Sequence, residues 1–85
     1  MPAKTVAVGS SVGLHVRPAA VIAQIATDTG VPVTLAVPGQ EPVDAGSALL
    51  IMTLGAKRGD EVVVSSDDQA AVDVVADLVA RDLDA

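Results

Sequence analysis

Gly13-Leu14-His15-Val16-Arg17-Pro18-Ala19-Ala20 joins a loop to a helix and holds the only histidine of the chain. Pro18 marks the helix start, because its missing N–H costs nothing in a first turn whose N–H groups lack intrahelical acceptors. His15 therefore stands at the lip of a helix. The backbone N–H groups of Val16 and Arg17 point outward there and the positive end of the helix dipole adds to them, so the lip suits an anion. Arg17 supplies a guanidinium fork that fits phosphate oxygens. A lone histidine is ordinarily a surface residue or a satisfied core residue. With an arginine two residues on and a helix N-terminus at the same point, this imidazole reads instead as a nucleophile that accepts a phosphoryl group on nitrogen and holds its charge.

Upstream, residues 3–8 alternate as a strand, with Lys4, Val6 and Val8 on one side. Gly9-Ser10-Ser11-Val12-Gly13 is a loop by composition, and mobility there would let the ring reorient. Downstream, the spacing predicts a helix over residues 16–29, stopped by Gly30 with Pro32 just beyond. Ala19, Ile22, Ala23 and Ala26 form its inward stripe. Ala20, Val21 and Ile25 add apolar surface at its side, which is either a wider buried stripe or a docking patch beside His15. Residues 31–37 make a second strand, Pro38-Gly39 a type II turn, and residues 41–44 a short third strand that Pro42 assigns to a sheet edge.

Ser47 is an N-cap for a short helix over residues 48–54, closed by Gly55. The apolar run 48–52 is too long for so short a helix to bury, so some of Ala48, Leu49 and Met52 are expected at the surface. Lys57-Arg58-Gly59-Asp60 turns into residues 61–65, the strongest strand signal and the expected centre of a sheet. Ser66-Asp67-Asp68 caps the last helix. There Gln69, Asp73, Asp77 and Arg81 recur every four residues as a solvated row, opposite a stripe of Val72, Val75, Ala76 and Val79. The order of elements predicts an α+β fold, a four-stranded, mostly antiparallel sheet with three helices on one face, and one domain over residues 1–85.

Composition narrows the functions. The chain has 85 residues, 51% of them hydrophobic, but no Phe, Tyr or Trp, so Val, Ala, Leu and Ile must fill a thin core. The missing aromatics remove the platforms on which nucleic-acid bases stack, and a net charge of −6 repels phosphate backbones. No nucleic-acid partner is expected. No cysteine and one histidine leave no disulfide and no ligand set for a metal, and no cofactor is called for. The longest apolar runs fall far below the roughly 20 residues that span a bilayer. The amino terminus lacks the basic-then-apolar pattern of a secretion signal, so a cytoplasmic location is expected.

Residues 13–19, together with Ser47-Ala48-Leu49-Leu50-Ile51-Met52-Thr53-Leu54-Gly55, resemble the two signature stretches of the HPr family. These are the histidine-containing phosphocarriers of the phosphoenolpyruvate-dependent sugar phosphotransferase system. The resemblance spans the whole chain and implies an open-faced β-sandwich that carries phosphate and is not an enzyme. Phosphoryl would pass from enzyme I to Nδ1 of His15, with Arg17 as charge partner, and then to sugar-specific IIA proteins. Ser47 matches a serine that a dedicated kinase phosphorylates in some bacteria; a phosphate there would put negative charge into the docking face. Gly46, Leu49 and Leu50 depart from the pattern of that second stretch, and the connection over residues 38–42 is one residue longer.

The docking face expected around His15 comprises Val16, Ala20, Gln24, Ala48, Leu49 and Met52, small enough for partners that bind and leave quickly. A monomer is expected, since one patch must stay open to successive partners. Two other readings stand beside the sugar carrier. One is a regulatory protein-binding module controlled by phosphorylation of Ser47; the other is a carrier in a non-sugar branch, serving nitrogen regulation or dihydroxyacetone.

Overall fold

The computed structural model describes residues 2–83. Seven elements follow one another: β1 (Ala3–Ala7), α1 (Val16–Asp28), β2 (Val33–Ala36), β3 (Val43–Asp44), α2 (Ala48–Thr53), β4 (Glu61–Ser66) and α3 (Gln69–Ala80). The sheet has the order β1-β4-β2-β3, and every pairing is antiparallel. β4 lies at its centre, as its run of valines requires, because a strand flanked on both sides buries most of what it carries. β3 is an edge strand.

The register sorts side chains by face. Val64 sits opposite Lys4 on one side and Leu35 on the other, Val43 continues that row, and Val62 faces Val6. Val33, Leu35, Val62 and Val64 are buried under the helices. Lys4 shares their side of the sheet but lies on edge strand β1, where its side chain reaches solvent. The opposite side carries Ala3, Thr5 and Ala7, all exposed, and stays open. Helix residues close the core: Ala19, Ile22, Ala23 and Ala26 from α1, Ile51 from α2, and Ala71, Val72, Val75, Ala76 and Val79 from α3. With alanine at so many helix contacts the layers approach closely, and the shortest dimension of the molecule is 19 Å. Each fully buried Val, Leu or Ile contributes about 1.5–3 kcal/mol, so many small contributions replace the few large ones that aromatics would make.

Five elements are shorter than the sequence predicts, β1 among them, which ends at Ala7 instead of residue 8. β2 covers Val33–Ala36 instead of residues 31–37, and β3 only Val43–Asp44 instead of 41–44. Pro32, Pro38 and Pro42 flank these segments and cannot donate ladder hydrogen bonds. α1 ends at Asp28 and α2 at Thr53, with Thr29 and Leu54 as their C-caps. Among the described residues, no helix is long and apolar enough to cross a membrane.

Candidate functional site

His15 occupies the N-cap position of α1 in an extended conformation, φ −86° and ψ −168°, and is half-buried. Its carbonyl accepts the first intrahelical bond, from the Ala19 N–H at 3.0 Å. Val16 and Arg17 are the first two helical residues and Pro18 the third. Pro18 has no N–H to offer, so the donors at this end are those of Val16 and Arg17, which lie beyond any intrahelical acceptor. The Pro18 ring is buried and fixes the first turn against the core. Arg17 is exposed. Two backbone donors at a helix N-terminus, with an exposed arginine in the same turn, are a combination that suits an oxyanion.

The loop before His15 is anchored on both sides, which corrects the mobility expected from its composition. On one side, the Gly9 N–H donates to the Val79 carbonyl at 3.0 Å, and a Cβ on Gly9 would lie 2.0 Å from the Ala80 carbonyl oxygen. On the other, the Leu14 N–H donates to the Ala56 carbonyl at 3.0 Å, and Leu14 is buried. Gly13 has φ +82° where a Cβ would stand 2.5 Å from the same Ala56 oxygen, so both the dihedral and the space require glycine. A turn from Ser10 to Gly13, closed by a 2.9 Å bond, joins the two anchors.

α2 packs beside α1 and runs antiparallel to it. Its C-terminal end meets the His15 loop through Ala56, while Gly46, just before its N-terminus, lies against Thr27 near the far end of α1. Ser47 is thus at the remote end of α2, separated from the His15 loop by the six-residue helix, about 9 Å of rise. Ser47 and His15 do not share a site. The Ser47 hydroxyl caps α2, accepting the Leu50 N–H at 3.3 Å. At Gly46, a Cβ would come 3.2 Å from Asp44 Oδ1 and 3.3 Å from Thr27 Oγ1, a crowding that favours the glycine found here.

The expected docking residues divide. Leu49 is 70% exposed and Val16 66% exposed. Ala20 is exposed as well, and so is Gln24, whose amide donates to Asp28 Oδ1 at 3.0 Å. Ala48 and Met52 are half-buried, packed against the core, and offer only part of their surface. Two further exposed apolar side chains were not singled out by sequence reasoning. Leu50 is also exposed, because the short α2 turns only Ile51 fully inward, and Val12, 69% exposed, projects from the loop ahead of His15. No periodicity could have found Val12, since its neighbours are loop residues. On α1, Ala20 and Val21 stay exposed and Ile25 is half-buried, so the surplus apolar surface is not absorbed into a wider buried stripe.

Comparison with known proteins gives this geometry a lineage. The chain matches the family model described as the PTS HPr component phosphorylation site over residues 2–81. It is 45% identical to the phosphocarrier protein HPr of Streptomyces coelicolor, an alignment that covers 99% of this chain and 94% of that protein. Among solved structures, it resembles the phosphocarrier protein HPr of Bacillus anthracis, with a TM-score of 0.84 at 27% identity over 92% of this chain and 95% of that one. It also resembles HPr-C-His from Thermoanaerobacter tengcongensis, with a TM-score of 0.83 at 30% identity over 93% and 91% of the two chains. An open antiparallel sheet under three helices, a histidine at the lip of the first of them and likeness along nearly the whole length agree: the chain belongs to the HPr family of phosphocarrier proteins.

Proposed function

We propose that His15 accepts a phosphoryl group from phosphorylated enzyme I and passes it to sugar-specific IIA proteins for carbohydrate uptake. The observation that carries this reading is that the matched family is described by a phosphorylation site, while the chain has one histidine, set where a helix opens beside Arg17. An imidazole nitrogen with a free lone pair is a nucleophile toward phosphorus. The Nδ1 lone pair attacks phosphorus; the N–P bond forms as the bond from phosphorus to the donor breaks, and the other ring nitrogen keeps its proton. Arg17 and the N–H groups of Val16 and Arg17 then face the phosphoryl oxygens and hold their charge.

Catalytic groups for making and consuming the phosphohistidine belong to the partners, so this protein is a carrier and not an enzyme. Val16, Ala20, Gln24, Ala48, Leu49 and Met52 form the face that docks on each partner in turn. One domain acting as a monomer in the cytoplasm suits such traffic. Ser47 would serve as a site for a serine kinase, where an added phosphate sets charge beside Leu49 and Leu50 without touching His15.

The test is the intact mass of the protein after incubation with enzyme I, magnesium and phosphoenolpyruvate, with His15→Ala alongside. One acid-labile phosphoryl group, absent in the variant, is expected. No modification in the presence of an active cognate enzyme I would sink the reading.

A further inference from the structure

Ser10 and Ser66 are the buried polar side chains among the described residues. Ser66 has a local task at the entry to α3: its hydroxyl donates to the Pro32 carbonyl at 2.8 Å and accepts the Asp68 N–H at 3.3 Å. The bonds of Ser10 reach much further along the chain. Its Oγ donates to the Arg81 carbonyl at 3.5 Å and accepts the Leu83 N–H at 3.3 Å, more than seventy residues away. A hydroxyl taken fully out of water is costly unless paired, and both partners lie in the segment that follows α3. The Leu83 side chain is half-buried against the core, so this segment is docked as a strap. Next to it, Gly9 lies so close to Ala80 that no side chain fits.

The grip continues toward the reactive ring. The Ser10 carbonyl accepts the Gly13 N–H, the following Leu14 N–H is held by Ala56, and His15 is the next residue. We propose that Ser10 is a positioning residue for phosphoryl transfer, tying the strap of residues 81–83 to the loop that sets His15. The strap packs Leu83 against the core and bonds to that loop through Ser10. Transfer rates are steep in the placement of the reacting atom, where an error of about 1 Å can cost on the order of a hundredfold. The inference rests on the carrier reading for its kinetic consequence, but not for its structural one.

Two variants of the full chain test it. Ser10→Ala removes the hydroxyl, and Leu83→Pro removes the N–H it accepts while keeping an apolar ring at the position. For each, and for the pair combined, three quantities are measured: the second-order rate constant for phosphorylation by enzyme I, the thermal midpoint, and the His15 imidazole resonances of the unphosphorylated protein. Each single variant is expected to slow transfer roughly threefold or more and to shift the imidazole signals. The double variant should be no slower than the worse single one, since Ser10→Ala already removes the bond that Leu83→Pro removes. Folded variants with unchanged imidazole signals, or with rates that fall only in proportion to the folded fraction, would overturn the proposal. Additive losses would overturn it too. If the wild type takes no phosphoryl group, the carrier reading fails, and the resonances still decide whether the strap sets the ring.

Discussion

α1 and α3 are amphipathic helices of nearly equal length, 13 and 12 residues, that close the same core, yet they treat their outer surfaces differently. α3 is supported locally along its length, although Val74 is exposed on it. The Asp68 carboxylate caps it by accepting the Ala70 N–H at 3.0 Å, Gln69 donates to Asp73 one turn on, and Asp77 pairs with Arg81 at the end. α1 begins with a histidine that makes no side-chain capping bond and places an arginine, not an acid, in its first turn, against the helix dipole. Its outer side then exposes Val16, Ala20 and Val21. A helix built only to stabilise would resemble α3. Where a protein gives up local consistency at one point and keeps it elsewhere, that point is where to look for function.

The strongest attempt to break this comparison makes α1 like α3. His15→Asp places a good capping residue at the lip, with a carboxylate that can accept the Arg17 N–H and complement the dipole. Stability should rise by about 1 kcal/mol. The thermal midpoint should rise by about 5 °C for a domain of this size. Phosphohistidine should vanish entirely, read as loss of the phosphoryl group bonded to nitrogen. A variant that is less stable than wild type would show that α1 is not compromised at His15, and a His15→Ala variant that still takes an acid-labile phosphoryl group would remove His15 from the chemistry.

A smaller effect tests the outer faces. Leu49→Glu puts a charge at an exposed position of α2 whose second-residue place in the helix favours acids, so folding should be unaffected. Transfer from enzyme I should slow roughly tenfold, as for loss of a central apolar contact in an interface. Val74→Glu on α3, another exposed apolar position, is the matched control and should change neither rate nor thermal midpoint. Equal slowing by both would mean that added charge, and not the α1–α2 face, is what the partner senses.

The features that distinguish the helices were legible in the sequence to different degrees. Local signals carried well: the valine run of β4, the caps Ser47 and Asp68, the four-residue spacing from Gln69 to Arg81, and the cluster of His15, Arg17 and Pro18 all act within a few residues of chain. What could not be read is what distant segments do to one another. Nothing in Gly9-Ser10 announces the end of α3 packed against it, so a glycine-serine loop looked mobile where the fold clamps it. Leu50 was not singled out beside Ala48, Leu49 and Met52, yet on the short α2 it too is exposed. The separation of Ser47 from His15 follows from the antiparallel packing of α1 and α2, which the order of elements alone leaves open.

The finest test divides the C-cap residue of α3, Arg81, into its side chain and its backbone. The Arg81 guanidinium pairs with Asp77, both largely exposed, while the Arg81 carbonyl accepts the Ser10 hydroxyl. Arg81→Ala removes the ion pair and leaves the carbonyl. Exposed pairs one turn apart contribute about 0.3–0.5 kcal/mol, because water screens the attraction and two long side chains lose freedom. The thermal midpoint should therefore fall by no more than about 2 °C, and the difference should shrink further in high salt. Transfer should proceed at the wild-type rate. A slow but stable Arg81→Ala would show that the guanidinium, and not the backbone grip on Ser10, connects the end of α3 to the His15 loop. The orderly outer face of α3 would then belong to the functional side of the molecule as well.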